Sequence, residues 1–255
     1  MKEGQILLAG DSVHQVPPYA GQGANSGISD AHNLSWKLAL VLNKQANPEL
    51  LETYEEERLP VCKAAAEVSG SAADDRGLLA WKLDFRTASS LVRRLYIVPG
   101  FGYRHISKAV LPESTWPLGG ASWRCWSLPN LFLALDGRPG SRVPHLWLEK
   151  QGNRISTVDL CKKGFVLLAG SDGRRWREAA GRAAEVLNGV DVKAYCVGAE
   201  GDFVDTGRKW EAAAGLSSTG MVLVRPDGFV AWRERRMVPD CEEKLKDVLR
   251  RILGR

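Results

Sequence analysis

The hydrophobic and polar positions of this chain form two ordered blocks joined by a less regular stretch. In the first block an apolar run, Gln5 to Ala9, feeds Gly10-Asp11, and a Pro17-Pro18 loop and Gly21-Gln22-Gly23 follow. That order predicts a strand, an acidic turn, a rigid loop and a glycine-rich helix start. Ile28, Ala31, Leu34, Leu38, Val41 and Leu42 then recur at helical spacing, which predicts a long amphipathic helix with these residues along its apolar face. Asn47-Pro48 reads as N-cap and first residue of a second helix through Leu50, Leu51, Tyr54 and Arg58, kinked at Pro60. This block ends near Gly70.

The stretch 71–134 reads as helical around Leu78 to Tyr96. Beyond Pro99-Gly100 it turns Gly-, Pro- and Trp-rich. The second block, 135–255, alternates short apolar runs with helical patterns. His145 to Leu148 is expected as a strand with Ile155 to Leu160 as its partner. Phe165 to Ala169 and Val192 to Val197 read as further strands, with a helix from Arg175 to Leu187 between them. Met221 to Arg225 and Phe229 to Arg233 form a hairpin about Pro226-Asp227-Gly228, and a helix from Cys241 to Leu253 closes the chain. The fold class is α/β, with a strand, loop and long helices first and a mixed sheet with a late hairpin second.

Composition narrows the options. The 255 residues allow one large or two small domains, and 44% hydrophobic with 25% charged residues is ordinary for a globular chain. No apolar run approaches the ~20 residues of a membrane span, and no signal peptide opens the sequence, so a cytoplasmic protein without a membrane partner is expected. The five cysteines are scattered, without a C-x-x-C pair or metal spacing, which suits free thiols. The formal charge is +5. Its basic clusters, Arg174-Arg175-Trp176-Arg177 and Arg233 to Arg236 among them, read as solvated faces rather than a nucleic-acid surface, because no nucleic-acid motif accompanies them.

The chemistry-bearing residues gather in 10–27. An Asp at a strand end either caps its own turn or accepts hydrogen bonds from sugar-like hydroxyls. A glycine-rich helix start offers backbone N–H donors and a positive dipole end to an anionic group. His14 is a candidate acid or base by residue type, but Gly10-Asp11-Ser12-Val13-His14 lacks the second glycine of a nucleophile elbow. A structural or cofactor-contacting histidine is the expectation. His32, His105 and His145 lack partners at ligand spacing, so no metal is expected.

Residues 10–27 and the continuation Asp30-Ala31-His32-Asn33-Leu34-Ser35-Trp36-Lys37-Leu38-Ala39 resemble the second flavin motif of the FAD-dependent aromatic hydroxylases, the group A flavoprotein monooxygenases. Tyr54-Glu55-Glu56-Glu57-Arg58-Leu59-Pro60 fits the same family. Leu135 to Gly140, Pro144 to Leu148 and Leu223 to Arg233 resemble the thioredoxin-like tail of its phenol and polyketide hydroxylase branch. The resemblance implies FAD with NAD(P)H as electron donor, and an aromatic or polyketide small molecule as substrate. It implies that Asp11 binds a ribityl hydroxyl, that Pro17 lies beside the reactive face of the flavin, and that backbone N–H groups of Gly21, Gln22, Gly23, Ala24 and Asn25 meet its pyrimidine edge. Pro17 and His14 are the candidates closest to the chemistry.

The family opens with a strand–G-x-G-x-x-G–helix unit that holds the FAD pyrophosphate. Gly21, Gly23 and Gly27 have the wrong spacing for it. The expectation is therefore the C-terminal half of a larger enzyme: a remnant of the FAD-binding domain at 1–70, a connector at 71–134 and a thioredoxin-like domain at 135–255. A homodimer, or a partner chain supplying the missing half, is expected with it. Two other readings stay open: a non-oxidative cyclase, isomerase or dehydratase using the remnant pocket, and a non-catalytic assembly subunit. The tail has Ser171-Asp172-Gly173-Arg174 where a redox-active thioredoxin carries C-x-x-C, so it should be redox-inert.

Overall fold

The computed structural model describes residues 1–16, 21–70, 104–113, 136–187, 189–205, 207 and 209–255. The Pro17-Pro18 loop and the helix expected around Leu78 to Tyr96 lie outside the described residues. The chain divides into two compact units: among the described residues, one holds 1–35 and 51–70, the other 36–50, 104–113 and 136–255.

In the first unit the apolar run contributes only a two-residue strand. β1 (Lys2–Glu3) and β2 (Ile6–Leu7) form an antiparallel hairpin, turned at Gly4 with φ +56°, where a glycine carries no strain. The Met1 ammonium lies 3.2 Å from Glu55, Lys2 pairs with Glu52, and the Tyr54 hydroxyl donates to the Leu8 carbonyl at 2.9 Å. A 3₁₀ turn, Gly10–Ser12, leads on towards α1 (Gln22–Leu42).

The most deeply buried face of α1 is largely polar, while Leu34, Leu38 and Val41 of the expected apolar set are half-buried and Val41 packs on the core of the second unit. Ser26, Asp30, Asn33 and Lys37 are buried, together with Trp36, while Ile28 is 68% and Leu42 71% exposed. The polar residues also recur at helical spacing, and here their hydrogen bonds decide which stripe turns inward. In the first unit Asn33 donates to Glu57 at 2.7 Å and Arg58 Nε to Asp30 at 2.8 Å. The second helix also departs from expectation at its start. Asn47 donates its side-chain amide to the Gly254 carbonyl at 2.5 Å and its backbone N–H to Leu253. Pro48–Leu51 forms a 3₁₀ turn, and α2 (Glu52–Gly70) begins after it and runs on through Pro60.

The second unit is built on a mixed four-stranded sheet. Its elements are β3 (Trp147–Lys150), β4 (Asn153–Ser156), β5 (Phe165–Ala169), α3 (Arg174–Val186), β6 (Val192–Cys196), α4 (Trp210–Ala214), β7 (Met221–Val224), β8 (Val230–Glu234) and α5 (Cys241–Ile252). The order is β6-β5-β7-β8, with β5 parallel to β6 and antiparallel to β7, while β3 and β4 form a separate hairpin. A parallel βαβ unit followed by an antiparallel hairpin is the thioredoxin-like arrangement. Two local readings are corrected. The partner of β3 ends at Ser156, because Thr157–Leu160 is a 3₁₀ turn capped by the Ser156 side chain, and α4 was not foreseen.

Strand alternation splits the core between the two sheet faces. Phe165, Leu167, Ala169, Met221 and Leu223 face α3 and α5 residues Trp176, Ala180, Leu245 and Leu249; Trp36, from the end of α1, joins them. Val166, Leu168, Val222, Val224 and Val230 pack on the other side with Leu148, Phe203 and Trp210. Leu223 pairs with Trp232 and Val224 with Val230, so Ala231 is the extra residue of a β-bulge. The bulge lets Ala231 and Trp232 both join the Trp176 side, where Trp232 meets Trp176 edge-on at 5.6 Å. With Leu223 fully buried, Leu223→Ala should cost about 2–5 kcal/mol in chemical denaturation. Val186→Ala, at a 58% exposed position, should stay within about 0.5 kcal/mol of wild type.

Candidate functional site

The described residues among those singled out in the sequence, Asp11, His14 and Gly21 to Asn25, lie at one end of the first unit. The Gly10–Ser12 turn is braced from within: Val13 N–H and His14 N–H donate to the Gly10 carbonyl at 2.9 and 3.1 Å, and Ser12 Oγ donates to Ala9 at 2.8 Å. Gly10 has φ +63°, and a Cβ on Gly27 would come within 3.3 Å of the Gly10 Cα. The turn therefore lies against the second turn of α1. Val16 reaches over the first turn, with its Cγ2 3.6 Å from where a Gly23 Cβ would stand. These approaches bring the exposed Asp11 and the α1 start to the same end.

Gly21 has φ +61°, and no described residue lies within 4 Å of where its Cβ would stand, so glycine is favoured there by the backbone conformation. Asn25 donates its amide back to the Gly21 carbonyl at 2.8 Å. Gln22 is buried, Gly23 half-buried, and Gly21, Ala24 and Asn25 exposed. The first N–H groups of a helix have no intrahelical partner and carry its positive dipole end. Pro17 lies outside the described residues.

The sequence reading missed what holds this end together. Asp30 is fully buried, and its Oδ2 accepts from Gly10 N–H at 3.1 Å and from His14 Nε2 at 2.6 Å. Its Oδ1 accepts from Arg58 Nε at 2.8 Å, and Arg58 Nη2 reaches the Ser26 carbonyl at 3.4 Å. Burial pushes Asp30 toward its protonated form, but the hydrogen bonds from Arg58 and His14 and the Arg58 charge outweigh it and hold the carboxyl below its ordinary pKa. Cys62 Sγ lies 3.7 Å from Asp30 Oδ1, and burial pushes its thiol up to about 11. The signal available in sequence was the spacing Ser26, Asp30, Asn33 along α1, opposite Arg58 and Cys62 one turn apart on α2.

In the tail, Ser171 to Arg174 follow β5 and open α3. Ser171 donates its N–H and Oγ–H to Glu211 at 3.0 Å. Cys62, Cys161, Cys196 and Cys241 are all free and buried. Several arginines of the basic clusters are paired: Arg177 with Asp202, Arg251 with Asp247, and Arg233 with Glu113. No helix among the described residues is long and apolar enough to cross a membrane.

An acceptor on a turn and N–H donors at a helix start suit the ring and ribityl end of a flavin. No strand–G-x-G-x-x-G–helix unit for the pyrophosphate is found among the described residues. Two family models match this chain: an FAD-binding domain over residues 1–69, and the C-terminal domain of aromatic-ring hydroxylases over 136–255. In both matched parts the chain is similar to the FAD-dependent aromatic hydroxylases. It is 42% identical to the tetracenomycin A2 monooxygenase-dioxygenase of Streptomyces glaucescens, over 100% of this chain and 42% of that protein. It is 43% identical to the 4-methyl-5-nitrocatechol 5-monooxygenase of a Burkholderia species, over 99% of this chain and 44% of that protein. The crystal structure of aklavinone-11 hydroxylase in a ternary complex with FAD and aklavinone superposes with a TM-score of 0.79 at 34% identity, covering 100% of this chain and 44% of that one. The chain thus spans a little under half the length of these relatives.

The depressed Asp30 pKa fixes a direction for acid sensitivity. Its stabilisation is fully present above the unfolded carboxyl value and is lost as pH falls through the lower folded value. Below about pH 4, thermal melts of the chain should fall more steeply than those of Asp30→Asn, which lacks the titrating group. Parallel pH dependence of the two melting curves would refute this.

Proposed function

We propose that this chain is the flavin-ring-facing and tail portion of an FAD- and NAD(P)H-dependent monooxygenase that hydroxylates an aromatic or polyketide substrate. The observation that carries the reading is the convergence of the Asp11 turn and the α1 start at one end, in residues matched by an FAD-binding domain model. The relatives' names support the substrate class. Residues 1–70 act as the C-terminal part of the FAD-binding domain, 71–134 as connector and 135–255 as thioredoxin-like domain.

FAD, when bound, supplies the redox chemistry, with electrons from NAD(P)H and oxygen from O2. The chain's own contribution is orientation and charge. Asp11 accepts a hydrogen bond from a ribityl hydroxyl. The N–H groups of Gly21 to Asn25 offer preorganised donors to the ring edge where negative charge collects on reduction. Pro17 lines the ring face, and His14 acts from beneath the turn. Titration of the chain with FAD, followed by flavin fluorescence, tests the assignment. Weak saturable binding, at about micromolar affinity or poorer, is expected because only the ring and ribityl end are contacted. Asp11→Ala should weaken it further. Submicromolar affinity, or binding indifferent to Asp11→Ala, would overturn the assignment.

One observation supports a companion half. Ile6 is 64%, Leu8 43% and Ile28 68% exposed in the first unit, and large apolar side chains left in water are what a companion surface would cover. The companion is a second copy of this chain or a chain carrying the dinucleotide-binding motif. Light scattering across a concentration series should give a mass above the 28.0 kDa of one chain. A monomer that binds no hydrophobic dye would count against it.

A further inference from the structure

We infer that Asp30 is the positioning residue of the Asp11 turn, tethering it at Gly10 and His14 while Arg58 anchors the carboxylate. The inference rests on the reading of Asp11 as a flavin contact and extends it to a residue that touches no cofactor. Asp11 is exposed, and among the described residues no side chain bonds to its carboxylate; its location therefore depends on the turn beneath it. That turn is held at both ends by one oxygen. Oδ2 of Asp30 meets Gly10 N–H at 3.1 Å on the near side of Asp11 and His14 Nε2 at 2.6 Å on the far side.

The other oxygen is anchored in turn. Arg58 Nε meets Oδ1 at 2.8 Å, and Arg58 and Asp30 are 1% and 0% exposed. Hydrogen bonds to a buried ionised group are roughly twice as strong as neutral ones, so a carboxylate is better suited than an amide to fix a turn. His14, Asp30 and Cys62 also place ligand atoms within 4.8 Å of one another. A metal ion there would have to displace a cation already present, since Arg58 Nη2 lies 3.8 Å from Cys62 Sγ. Arg58 therefore fills that role in this cluster.

Hydrogen exchange of the Gly10, Val13 and His14 amides in the full chain, without flavin, tests the tether. In Asp30→Asn a single amide oxygen is left for Gly10, His14 and Arg58 together. Exchange at these amides is expected to rise by about tenfold or more. Val61→Ala, at a buried α2 position in the same unit, is the control for general loosening and should spare them. Unchanged exchange in Asp30→Asn, or an equal rise in both variants, overturns the inference. Should Asp30→Asn fail to fold, His14→Ala cuts one tether and leaves the Asp30–Arg58 pair. It must raise exchange at Val13, and an unchanged Val13 amide is equally fatal. FAD titration then asks whether Asp30 acts through Asp11. Asp11→Ala combined with Asp30→Asn should bind no more weakly than Asp11→Ala alone, and additive losses would refute that route. If Asp11→Ala leaves FAD binding unaltered, the flavin reading of Asp11 fails while the exchange data still decide the tether.

Discussion

The buried ion pair between Asp30 and Arg58 is the constraint on which the first unit depends. Bringing a carboxylate and a guanidinium out of water costs several kcal/mol per ion, and only mutual attraction with further hydrogen bonds offsets it. Here Asp30 is also met by Gly10 N–H and His14, and Arg58 by the Ser26 carbonyl. Removing one partner would leave the other charged and buried, a loss of about 3–5 kcal/mol. The close approach of Gly10 to Gly27 follows from the same geometry, because a backbone drawn onto Asp30 must pass directly over the helix surface three residues before it.

This pair explains what was legible in the sequence and what was not. The sheet of the second unit was readable because its strands are short apolar runs between turn residues, and Phe165–Ala169 is buried at every position. The hairpin was readable from Pro226-Asp227-Gly228, where Gly228 has φ +79° and Arg225 pairs with Asp227 at 2.6 Å. The most deeply buried face of α1 was not. Hydrophobic spacing favoured Ile28, Ala31 and Leu42, whereas the buried stripe is Ser26, Asp30 and Asn33. A periodicity argument ranks residues by apolarity and cannot anticipate that a charge will find its counter-ion on another helix. Asp30 and Arg58 were visible as family marks, but nothing in the one-dimensional pattern joined them. The end of β4 was obscured because Val158 and Leu160 continue the apolar pattern after the Ser156 cap has already turned the chain.

The tail departs from a redox thioredoxin in electrostatics as well as in sequence. A reactive thiol needs an electropositive, accessible setting that favours the thiolate. Cys161 and Cys196 have the reverse: burial pushes Cys161 up to about 12 and raises Cys196 as well, Arg177 notwithstanding. Where a catalytic pair would stand, Ser171 is bonded to Glu211 instead. The two-faced core and the bulge at Ala231 give this unit its own architecture.

Charge neutralisation within the Asp30 cluster also shapes the outer surface of the site. An unpaired buried carboxylate beneath the turn would oppose any anionic group arriving above it. On the flavin reading, Arg58 cancels that charge and leaves the α1 dipole and its first-turn N–H groups as the nearby field for an arriving group. Those donors belong to the backbone, so their direction is set by the helix and not by a rotamer, and little reorganisation is needed when charge develops. The positive φ at Gly21 is what lets the chain enter the helix at this angle. The division of labour is physical: the ionised side chains are spent inside, fixing the turn, and the partial charges of the helix are left facing outward.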